Sequence, residues 1–250
     1  MDGNHVKNIP ILEGVGVSNL VDMEPWFDKV LIKISSSIQD KMFIDCGVNI
    51  GQTLIKVKNA MPGIKYTGFE PNPLCVRYAH QLILVNDLQQ AVVFSAGIAD
   101  KTQVLDLHLS RSNKADTGAS MIAGFRSGVS YKIPSLFVDS GSLNIWSKEK
   151  IGCIKIDVEG GELEVIKSFK DLIVRDQPLI ICEILPIYNY SNTFRAQRQD
   201  ELINLLVSLK YSIYRISTMD GSLYPLKGIE IHSDLSLCNY IFAPSEVVLD

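Results

Sequence analysis

The sequence lacks the features of several protein classes. Its 24 Lys and Arg residues form no basic run, and 28 Asp and Glu residues give a net charge of −4. A nucleic-acid-binding domain is expected to carry a basic patch. The apolar stretches, such as residues 178–185, are far shorter than the roughly 20 residues that span a bilayer, and the N-terminus shows no apolar core of a signal peptide. We therefore expect neither a nucleic acid nor a membrane as a partner.

Cysteine is also scarce, and its spacing fits neither a metal site nor a redox motif. The five cysteines are Cys46, Cys75, Cys153, Cys182 and Cys238. All but Cys75 lie in apolar, strand-like contexts, so we expect buried and reduced thiols. Reduced thiols are typical of cytosolic proteins, which predicts a cytoplasmic location. The length of 250 residues suits one large α/β domain, with or without a small appendage.

The most informative segment is residues 41–53. An apolar strand ends on Asp45, a turn with Gly47 and Gly51 follows, and a helix comes next. A second strand ends on Glu70, 25 residues after Asp45. Glycines let the backbone approach a ligand, and a helix N-terminus offers free N–H groups. This layout predicts a nucleotide-type cofactor whose ribose hydroxyls donate to Glu70.

The spacing of the glycines distinguishes between cofactors. A dinucleotide fingerprint reads G-x-G-x-x-G, whereas here Asn49 replaces the middle glycine that admits a pyrophosphate. This argues against NAD or FAD and favours S-adenosylmethionine, which has a ribose and a carboxylate but no phosphate. An ordinary strand–turn–helix is the alternative, and the carboxylates Asp45 and Glu70 at matching strand ends argue against it.

A second acidic motif occupies residues 155–162, where a strand ends on Asp157 and a turn carries Glu159. Ligands of open α/β sheets lie outside the carboxyl ends of the strands, so Asp157 is expected to face the same crevice as Asp45. Glu162 is explained by the preference of acidic residues for helix N-termini. We predict Asp157 and Glu159 as general base or as anchors of a substrate hydroxyl, with His108 as a rival. No Asp-Asp pair or Asp/His spacing indicates a metal.

Strands and helices alternate along most of the chain, which predicts βαβ units and a parallel sheet. Strands are expected at residues 42–45, 65–70, 91–95, 152–157 and 179–183, and helices at residues 24–38, 51–60, 72–85, 162–169 and 195–210. Residues 212–216 and 236–243 are expected to close the sheet, with one strand antiparallel. Residues 103–138 interrupt the pattern: we expect an inserted β excursion with a strand at 103–110, a polar segment at 112–120 and a return strand at 119–123.

Taken together, the motifs resemble those of FkbM-type methyltransferases. The ordered set is Asp45-x-Gly47-x-Asn49-x-Gly51, then Phe69-Glu70-Pro71-Asn72-Pro73, then Ile154-Lys155-Ile156-Asp157-Val158-Glu159-Gly160-x-Glu162. The resemblance covers roughly residues 41–243 and includes Gly118-Ala119-Ser120, Phe137-Val138-Asp139 and residues 239–244. Gly161 departs from it, because the family commonly carries Ala there. The first 40 residues carry no match.

The resemblance implies a class I methyltransferase fold. This is a Rossmann-like three-layer α/β sandwich whose seven-stranded sheet has the order 3-2-1-4-5-7-6, with the last strand antiparallel. It also implies S-adenosyl-L-methionine as methyl donor and, most often, O-methylation of a hydroxyl on a sugar or another small metabolite. We expect an N-terminal helical or irregular cap at residues 1–40 and an FkbM-like domain at residues 41–250, with the β insertion at about 103–138.

The same fold assigns roles around the donor. The turn at Gly47 is expected to hold the methionine end, with Gln52 and Thr53 near its carboxylate. The adenine is expected between Pro71 and Asn72 on one side and residues 96–98 on the other. The predicted donor-binding residues are Asp45, Gly47, Asn49, Gly51, Gln52, Thr53, Glu70, Pro71, Asn72, Ala96, Gly97, Ile98 and Asp157.

The acceptor is expected to be a small molecule or a glycan. Its pocket is expected from the N-terminal segment, residues 103–138 and the loop at 185–193. There Tyr188 and Tyr190 either stack on a sugar ring or mark a surface hinge. A nucleic-acid methyltransferase is disfavoured because no Asn-Pro-Pro-Tyr type motif follows the fourth strand. A methyltransferase of another macromolecule and a cofactor-binding module without turnover remain as alternatives.

Overall fold

Strands and helices alternate in the computed structural model, which describes residues 8–10, 20, 22–38, 40–109, 118–123, 125, 131–143, 145–146, 149–189 and 191–249. The helices are α1 Pro25–Ile38, α2 Gln52–Ala60, α3 Pro73–Val85, α4 Glu162–Asp176 and α5 Thr193–Ser208. The strands are β1 Met42–Cys46, β2 Lys65–Phe69, β3 Ala91–Phe94, β4 Gly97–Ile98, β5 Gln103–Leu109, β6 Tyr131–Val138, β7 Ile151–Ile156, β8 Leu179–Glu183, β9 Tyr211–Ile216, β10 Leu223–Leu226 and β11 Asn239–Pro244.

The main sheet has the strand order β10-β9-β11-β8-β7-β1-β2-β3. Strands β3, β2, β1, β7 and β8 run parallel, and β11 is antiparallel to both β8 and β9. The predicted order and the antiparallel last strand are therefore confirmed. The chain reverses its direction of travel across the sheet between β1 and β7, and ligands of open α/β sheets bind at such a switch point.

An eighth strand, β10, extends the sheet beyond the seven that were predicted. It pairs antiparallel with β9 and lies at the edge of the sheet. Pro225 lies inside it, and a proline is tolerated in an edge strand because its missing N–H can face away from the neighbouring strand. The same proline and the short length hid this strand from the sequence pattern.

Helices cover both faces of the main sheet, because its central strands are buried on each side. Phe43 and Cys153 pack with α1, α2 and α3 on one face. Ile44 and Ile154 point the other way and pack with α4 and α5. Successive side chains of a strand alternate between faces, so uninterrupted apolar strands such as β1 and β7 need helices on both sides.

The excursion between β3 and β7 forms a second sheet with the order β4-β6-β5. The return strand is β6, antiparallel to β5, so the expected return strand at 119–123 is wrong. In that segment Ser120 makes an isolated bridge to His108. In the sequence, Pro134 argues against a strand, because a proline has no N–H to donate to a neighbouring strand. Proline is tolerated at this position of β6 because β4 pairs only with Phe137 and Val138 and leaves Pro134 without a partner among the described strands on that side. The predicted polar segment lies mostly outside the described residues.

Helix α4 is seven residues longer than the predicted helix at 162–169, because it continues to Asp176. Its last turns look polar in the sequence, yet Ile173 is fully buried against the sheet. The helix ends at Gln177, whose φ of 48° is left-handed, just before Pro178. The burial of one face therefore keeps these turns helical, although most of their residues are polar.

All five cysteines are buried and free, in agreement with the expectation of reduced thiols. Within the described part of the chain, no helix combines the length and the apolar character needed to cross a membrane.

Candidate active site

A crevice opens at the carboxyl ends of β1, β2 and β7, where the sheet reverses its order. It encloses about 600 Å³ of space, part of which is open solvent at its mouth. Fourteen residues line it: Gly47, Asn49, Phe69, Glu70, Pro71, Gly97, Ile98, Leu107, Ala119, Met121, Phe137, Asp157, Val158 and Glu159. The two predicted motifs therefore meet in one site.

The turn after β1 requires glycine at position 47. Its φ is +93°, and a Cβ there would lie 1.8 Å from the carbonyl oxygen of Asp157. Its N–H donates to the carbonyl of Phe69 at 2.9 Å. Because no side chain intervenes, the backbones of the β1 and β7 ends lie in direct contact at the floor of the crevice.

Asn49 occupies the position of the middle glycine of a dinucleotide fingerprint. It has a left-handed φ of 52°, a conformation that asparagine tolerates better than most residues. Its backbone N–H donates to Glu70 Oε2 at 2.7 Å, and its Oδ1 accepts from Cys75 Sγ at 3.5 Å. The dinucleotide fingerprint needs a glycine at this position to admit a pyrophosphate, and Asn49 places a side chain there.

Glu70 is held in place by the backbone on both sides. Its Oε2 accepts from Asn49, and its Oε1 accepts from the N–H of Asn72 at 2.8 Å. Burial raises the pKa of Glu70 to about 7, although both backbone N–H groups lower it. A carboxylate has about four lone-pair sites, so each oxygen can still accept one hydroxyl of a ribose.

Asn72 lies directly behind Glu70 and is almost fully buried. Its Oδ1 caps helix α3 by accepting from the N–H of Leu74 at 3.1 Å. Its Nδ2 has no hydrogen-bond partner among the described residues, and an unsatisfied buried donor costs about 1–3 kcal/mol. A ligand with an acceptor nitrogen, such as an adenine, fits this orphaned donor.

The end of β1 carries a second buried carboxylate, Asp45. Tyr66 donates its hydroxyl to Asp45 Oδ2, while Asp45 Oδ1 has no hydrogen-bond partner in the described structure and lies 4.0 Å from Lys155 Nζ. Burial raises the pKa of Asp45 to about 6, against the influence of Lys155 and Tyr66. Asp45 lies behind the crevice wall rather than on it.

Lys155 on β7 is a functional candidate that the sequence analysis missed. The lysine is buried, and its Nζ donates to Asp157 Oδ2 at 3.0 Å. Burial lowers the pKa of Lys155, but the charges of Asp157, Asp45 and Glu24 outweigh this effect and raise it above the usual value. A lysine within the buried β7 is the signal that could have identified it.

Three carboxylates converge at the other end of the crevice. Oxygens of Asp157, Glu159 and Glu183 lie within 4.8 Å of one another. Burial, followed by the charges of Asp157 and Glu159, raises the pKa of Glu183 well above its usual value. Carboxylate oxygens are typical ligands of divalent cations such as Mg²⁺ and Ca²⁺, and these three residues could contribute to holding one. No ligand spacing is visible in the sequence, because Glu183 reaches the cluster from β8, a different strand.

Glu162 faces a second, smaller cavity beyond this cluster. Its Oε1 accepts from the N–H of Gly160 at 2.7 Å, and burial raises its pKa to about 7. The cavity is lined by Phe125, Gly160, Glu162, Leu163, Ile184, Leu185, Arg195, Arg198, Gln199 and Leu202. The position of Glu162 agrees with its assignment to a helix N-terminus rather than to the crevice.

Hydrogen bonds hold the segments that are expected at the acceptor end. Ser120 Oγ donates to the carbonyl of Glu159 at 2.6 Å. Arg195 donates to the carbonyls of Pro186 and Phe125, and its guanidinium carbon lies 4.0 Å from the centroid of the Phe125 ring. The wall of the crevice at 119–121 is therefore fixed to the acidic turn, and Arg195 links the segment at 125 to the loop at 186.

The structure brings most of the predicted residues to the crevice surface, but not all. The lining includes Gly47, Asn49, Glu70, Pro71, Gly97, Ile98, Asp157 and Glu159. The others lie behind it or beside it: Asp45, Gly51, Gln52, Thr53, Asn72 and Ala96. A Cβ at Gly161, the departure from the family pattern, would lie 2.6 Å from the flexible end of Met121.

The remaining aromatic and histidine candidates lie outside the crevice lining. His108 is buried and paired through its backbone with Ser120. Tyr188 is 47% exposed, and Tyr190 lies outside the described residues.

Apolar lining residues were also missed by the sequence analysis. Phe69, Leu107, Met121, Phe137 and Val158 all contribute to the crevice. Phe137 comes from the second sheet, and its ring covers Gly97, where a Cβ would lie 2.4 Å from Phe137 Cε1. Only the pairing of β4 with β6 brings these two residues together, so no local pattern indicates it.

Comparison with known proteins gives a family and a fold. The model of the methyltransferase FkbM domain matches residues 45–213. The crystal structure of methyltransferase FkbM from Methylobacillus flagellatus KT is similar, with a TM-score of 0.52 and 16% identity over 82% of this chain and 44% of that chain. The chain thus spans less than half the length of that protein. An O-methyltransferase from Bacillus cereus in complex with SAH has a TM-score of 0.51 and 13% identity, over 92% of this chain and 84% of that chain. No curated protein matches the sequence.

Proposed function

The chain belongs to the FkbM methyltransferase family, whose members use S-adenosylmethionine, and from this premise we propose that it methylates a hydroxyl of a sugar or another small metabolite. The observation that carries the donor assignment is Glu70, which directly follows β2 and has each carboxylate oxygen fixed by one backbone N–H. This arrangement presents two acceptor positions to the two hydroxyls of a ribose. The S-adenosylhomocysteine-bound relative from Bacillus cereus shares the fold.

We propose that the donor lies along the crevice with its adenosine between Pro71 and Gly97. Both residues line the crevice, and the unsatisfied Nδ2 of Asn72 is available to the adenine. The methionine end then lies over the turn at Gly47, next to Asp157. Gln52 and Thr53 remain proposed for the methionine carboxylate from their place at the start of α2.

The acidic end of the crevice is proposed to receive the acceptor. The acceptor oxygen attacks the methyl carbon of the sulfonium, the C–S bond breaks with its electron pair passing to sulfur, and the hydroxyl proton passes to a carboxylate. Alignment of the two groups supplies much of the rate, up to about 7–11 kcal/mol. Asp157 is paired with Lys155, which weakens it as a base and suits it as an anchor. Glu159 is then the proposed base.

The walls around this end favour a small acceptor over a macromolecule. Leu107, Met121 and Phe137 close the crevice on the side of the second sheet, and the net charge of −4 offers no basic surface for a nucleic acid. The free, buried cysteines support the proposal of a cytoplasmic location.

Calorimetric titration with S-adenosylhomocysteine tests the donor site, with NAD as control ligand and Glu70→Ala as control protein. We expect micromolar binding that is absent for NAD and lost in the variant. The acceptor is then sought with labelled donor and a panel of hydroxylated metabolites. Glu159→Gln is expected to lower the turnover with the acceptor by about 10²- to 10⁴-fold while the affinity for S-adenosylhomocysteine stays within twofold. Donor binding without transfer to any acceptor would instead support a module without turnover.

A further inference from the structure

The segment that precedes α1 lies against the donor end of the site. Leu20 is fully buried and packs in one cluster with Ile50 and Ile55, which belong to the turn after Asn49 and to helix α2. Lys56 on α2 pairs with Asp28 on α1 at 2.6 Å. This part of the chain lies outside residues 45–213, which match the family. It belongs to the cap that we propose for residues 1–40.

Glu24 lies at the end of this segment in an unusual backbone conformation. Its φ is 53°, the left-handed region that non-glycine residues seldom adopt, and its carbonyl accepts the N–H of Phe27 at 2.9 Å. Strained residues of this kind persist where the surroundings fix them, and they cluster at ligand sites. The side chain is partly buried.

The carboxylate of Glu24 lies within the electrostatic field of the donor site. Burial raises its pKa, Lys155 lowers it and Asp157 raises it. Glu24 in turn raises the pKa values of both Asp45 and Lys155. Three carboxylates from three different elements therefore act on the same lysine.

The charges of this group do not balance within the described residues. Glu24, Asp45 and Asp157 carry three negative charges when ionised, against the single positive charge of Lys155, and Lys56 is already paired with Asp28. In addition, Asp45 Oδ1 is fully buried and has no hydrogen-bond partner there. An excess of negative charge in a partly buried site and an unused buried acceptor are both costly unless a cation or a donor completes the site.

We propose that Glu24 is a donor-binding residue whose carboxylate receives the α-ammonium group of the methionyl end of S-adenosylmethionine. An ammonium group brings one positive charge and three N–H donors to a group that has excess negative charge and an unused buried acceptor. The inference rests on the proposed function, because this ammonium belongs to the proposed donor. It makes the segment at residues 20–24 part of the active site, although it lies outside the part of the chain that matches the family.

Two ligands separate this role from a general effect on the site. S-adenosylhomocysteine carries the amino-acid end, whereas 5′-methylthioadenosine has the adenosyl thioether without it. Calorimetric titration of the full chain with both ligands is expected to show that Glu24→Gln weakens S-adenosylhomocysteine by about 10- to 100-fold, the effect of losing a charged hydrogen bond. The affinity for 5′-methylthioadenosine is expected to stay within twofold.

Asp22→Asn is the matched control, because Asp22 is an exposed carboxylate two positions earlier on the same segment, and we expect both affinities to stay unchanged. An unchanged affinity of Glu24→Gln for S-adenosylhomocysteine would overturn the inference alone. Equal weakening of both ligands would also overturn it, because that result indicates a structural role. If the wild-type chain binds neither ligand, the proposed function fails and takes this inference with it.

Discussion

Lys155 Nζ lies 3.0 Å from Asp157 Oδ2 at the carboxyl end of β7. The same ammonium is 4.0 Å from Asp45 Oδ1 at the end of the neighbouring β1, so one lysine connects the two strands that border the switch point. The lysine side chain is 9% exposed and that of Asp157 is 32% exposed. A charge buried to this degree is tolerated only when it is paired, and the acidic motifs of the crevice therefore depend on Lys155.

Replacing Lys155 by Met is expected to destabilise the fold by about 3 kcal/mol, because it leaves Asp45 and Asp157 without their counter-charge. This is the lower end of the range for broken buried pairs, since Asp157 is partly exposed. Chemical denaturation at neutral pH measures the change. Adding Asp157→Asn to the same protein is expected to recover part of the loss.

The control for this substitution is Lys132→Met, because Lys132 pairs with Asp106 at 3.5 Å with more than half of the lysine side chain exposed. Exposed pairs contribute about 0–1 kcal/mol. Equal losses for the two lysines would show that Lys155 has no special role in the charge balance of the site.

Donor affinity is expected to rise with pH because of Glu70. Burial raises the pKa of Glu70 to about 7 in the free protein, and ribose hydroxyls donate to the ionised form. Between pH 8 and pH 6 the ionised fraction falls by about tenfold, so the affinity for S-adenosylhomocysteine is expected to fall by the same factor. Calorimetry at pH 6, 7 and 8 measures it.

Glu70→Gln provides the comparison for this pH series, since glutamine does not titrate. Its binding is expected to be weaker at pH 8 and nearly independent of pH. A wild-type affinity that is constant from pH 6 to pH 8 would contradict the assignment of the ribose to Glu70.

Gly47 is expected to tolerate no side chain. Alanine there must adopt a φ of +93° and place its Cβ 1.8 Å from the carbonyl oxygen of Asp157. A left-handed residue costs about 1–2 kcal/mol and overpacking typically about 1–3 kcal/mol, so Gly47→Ala is expected to lower the free energy of unfolding by about 2 kcal/mol or more. Gly63→Ala is the control, because a Cβ there meets no atom within 4 Å. Similar effects of the two substitutions would show that the β1 and β7 backbones can separate at little cost.

The parallel core was predictable because its information is local. Each buried strand reads as a short apolar run, and Asp45, Glu70 and Asp157 mark the strand ends that face the crevice. Prolines interfered with this reading: Pro134 hid β6 and Pro225 hid β10, because a proline argues against a strand unless the pairing on both sides is known.

The parts of the site that were missed depend on tertiary pairing. Glu183 was recognised as a strand end, but its approach to Asp157 and Glu159 follows from the pairing of β7 with β8. Lys155 belongs to the acidic motif at residues 155–162, but its contact with Asp45 follows from the pairing of β1 with β7. Glu24 belongs to a segment without any recognisable motif. In each case the contact joins residues from different elements, and no local sequence pattern indicates that they meet.

The stability of the fold is expected to depend on pH because of Glu162. Burial raises the pKa of Glu162 from 4.5 to about 7 in the folded protein. A raised pKa means that the folded state holds the proton more tightly than the unfolded state does. The resulting stability is fully present below pH 4.5 and is lost as the pH rises through 7.

Glutamine at position 162 keeps the oxygen that accepts from Gly160 and cannot ionise. Relative to the wild type, Glu162→Gln is therefore expected to gain up to about 3 kcal/mol in free energy of unfolding between pH 4.5 and pH 8, because the pKa rises from 4.5 to about 7 and each tenfold change in proton affinity corresponds to about 1.36 kcal/mol. Urea denaturation of both proteins across this range measures the difference, with Glu201→Gln, half exposed on α5, as the control for removing a carboxylate. A difference that does not grow with pH would mean that Glu162 ionises in the folded protein as readily as in water, through solvent in the second cavity.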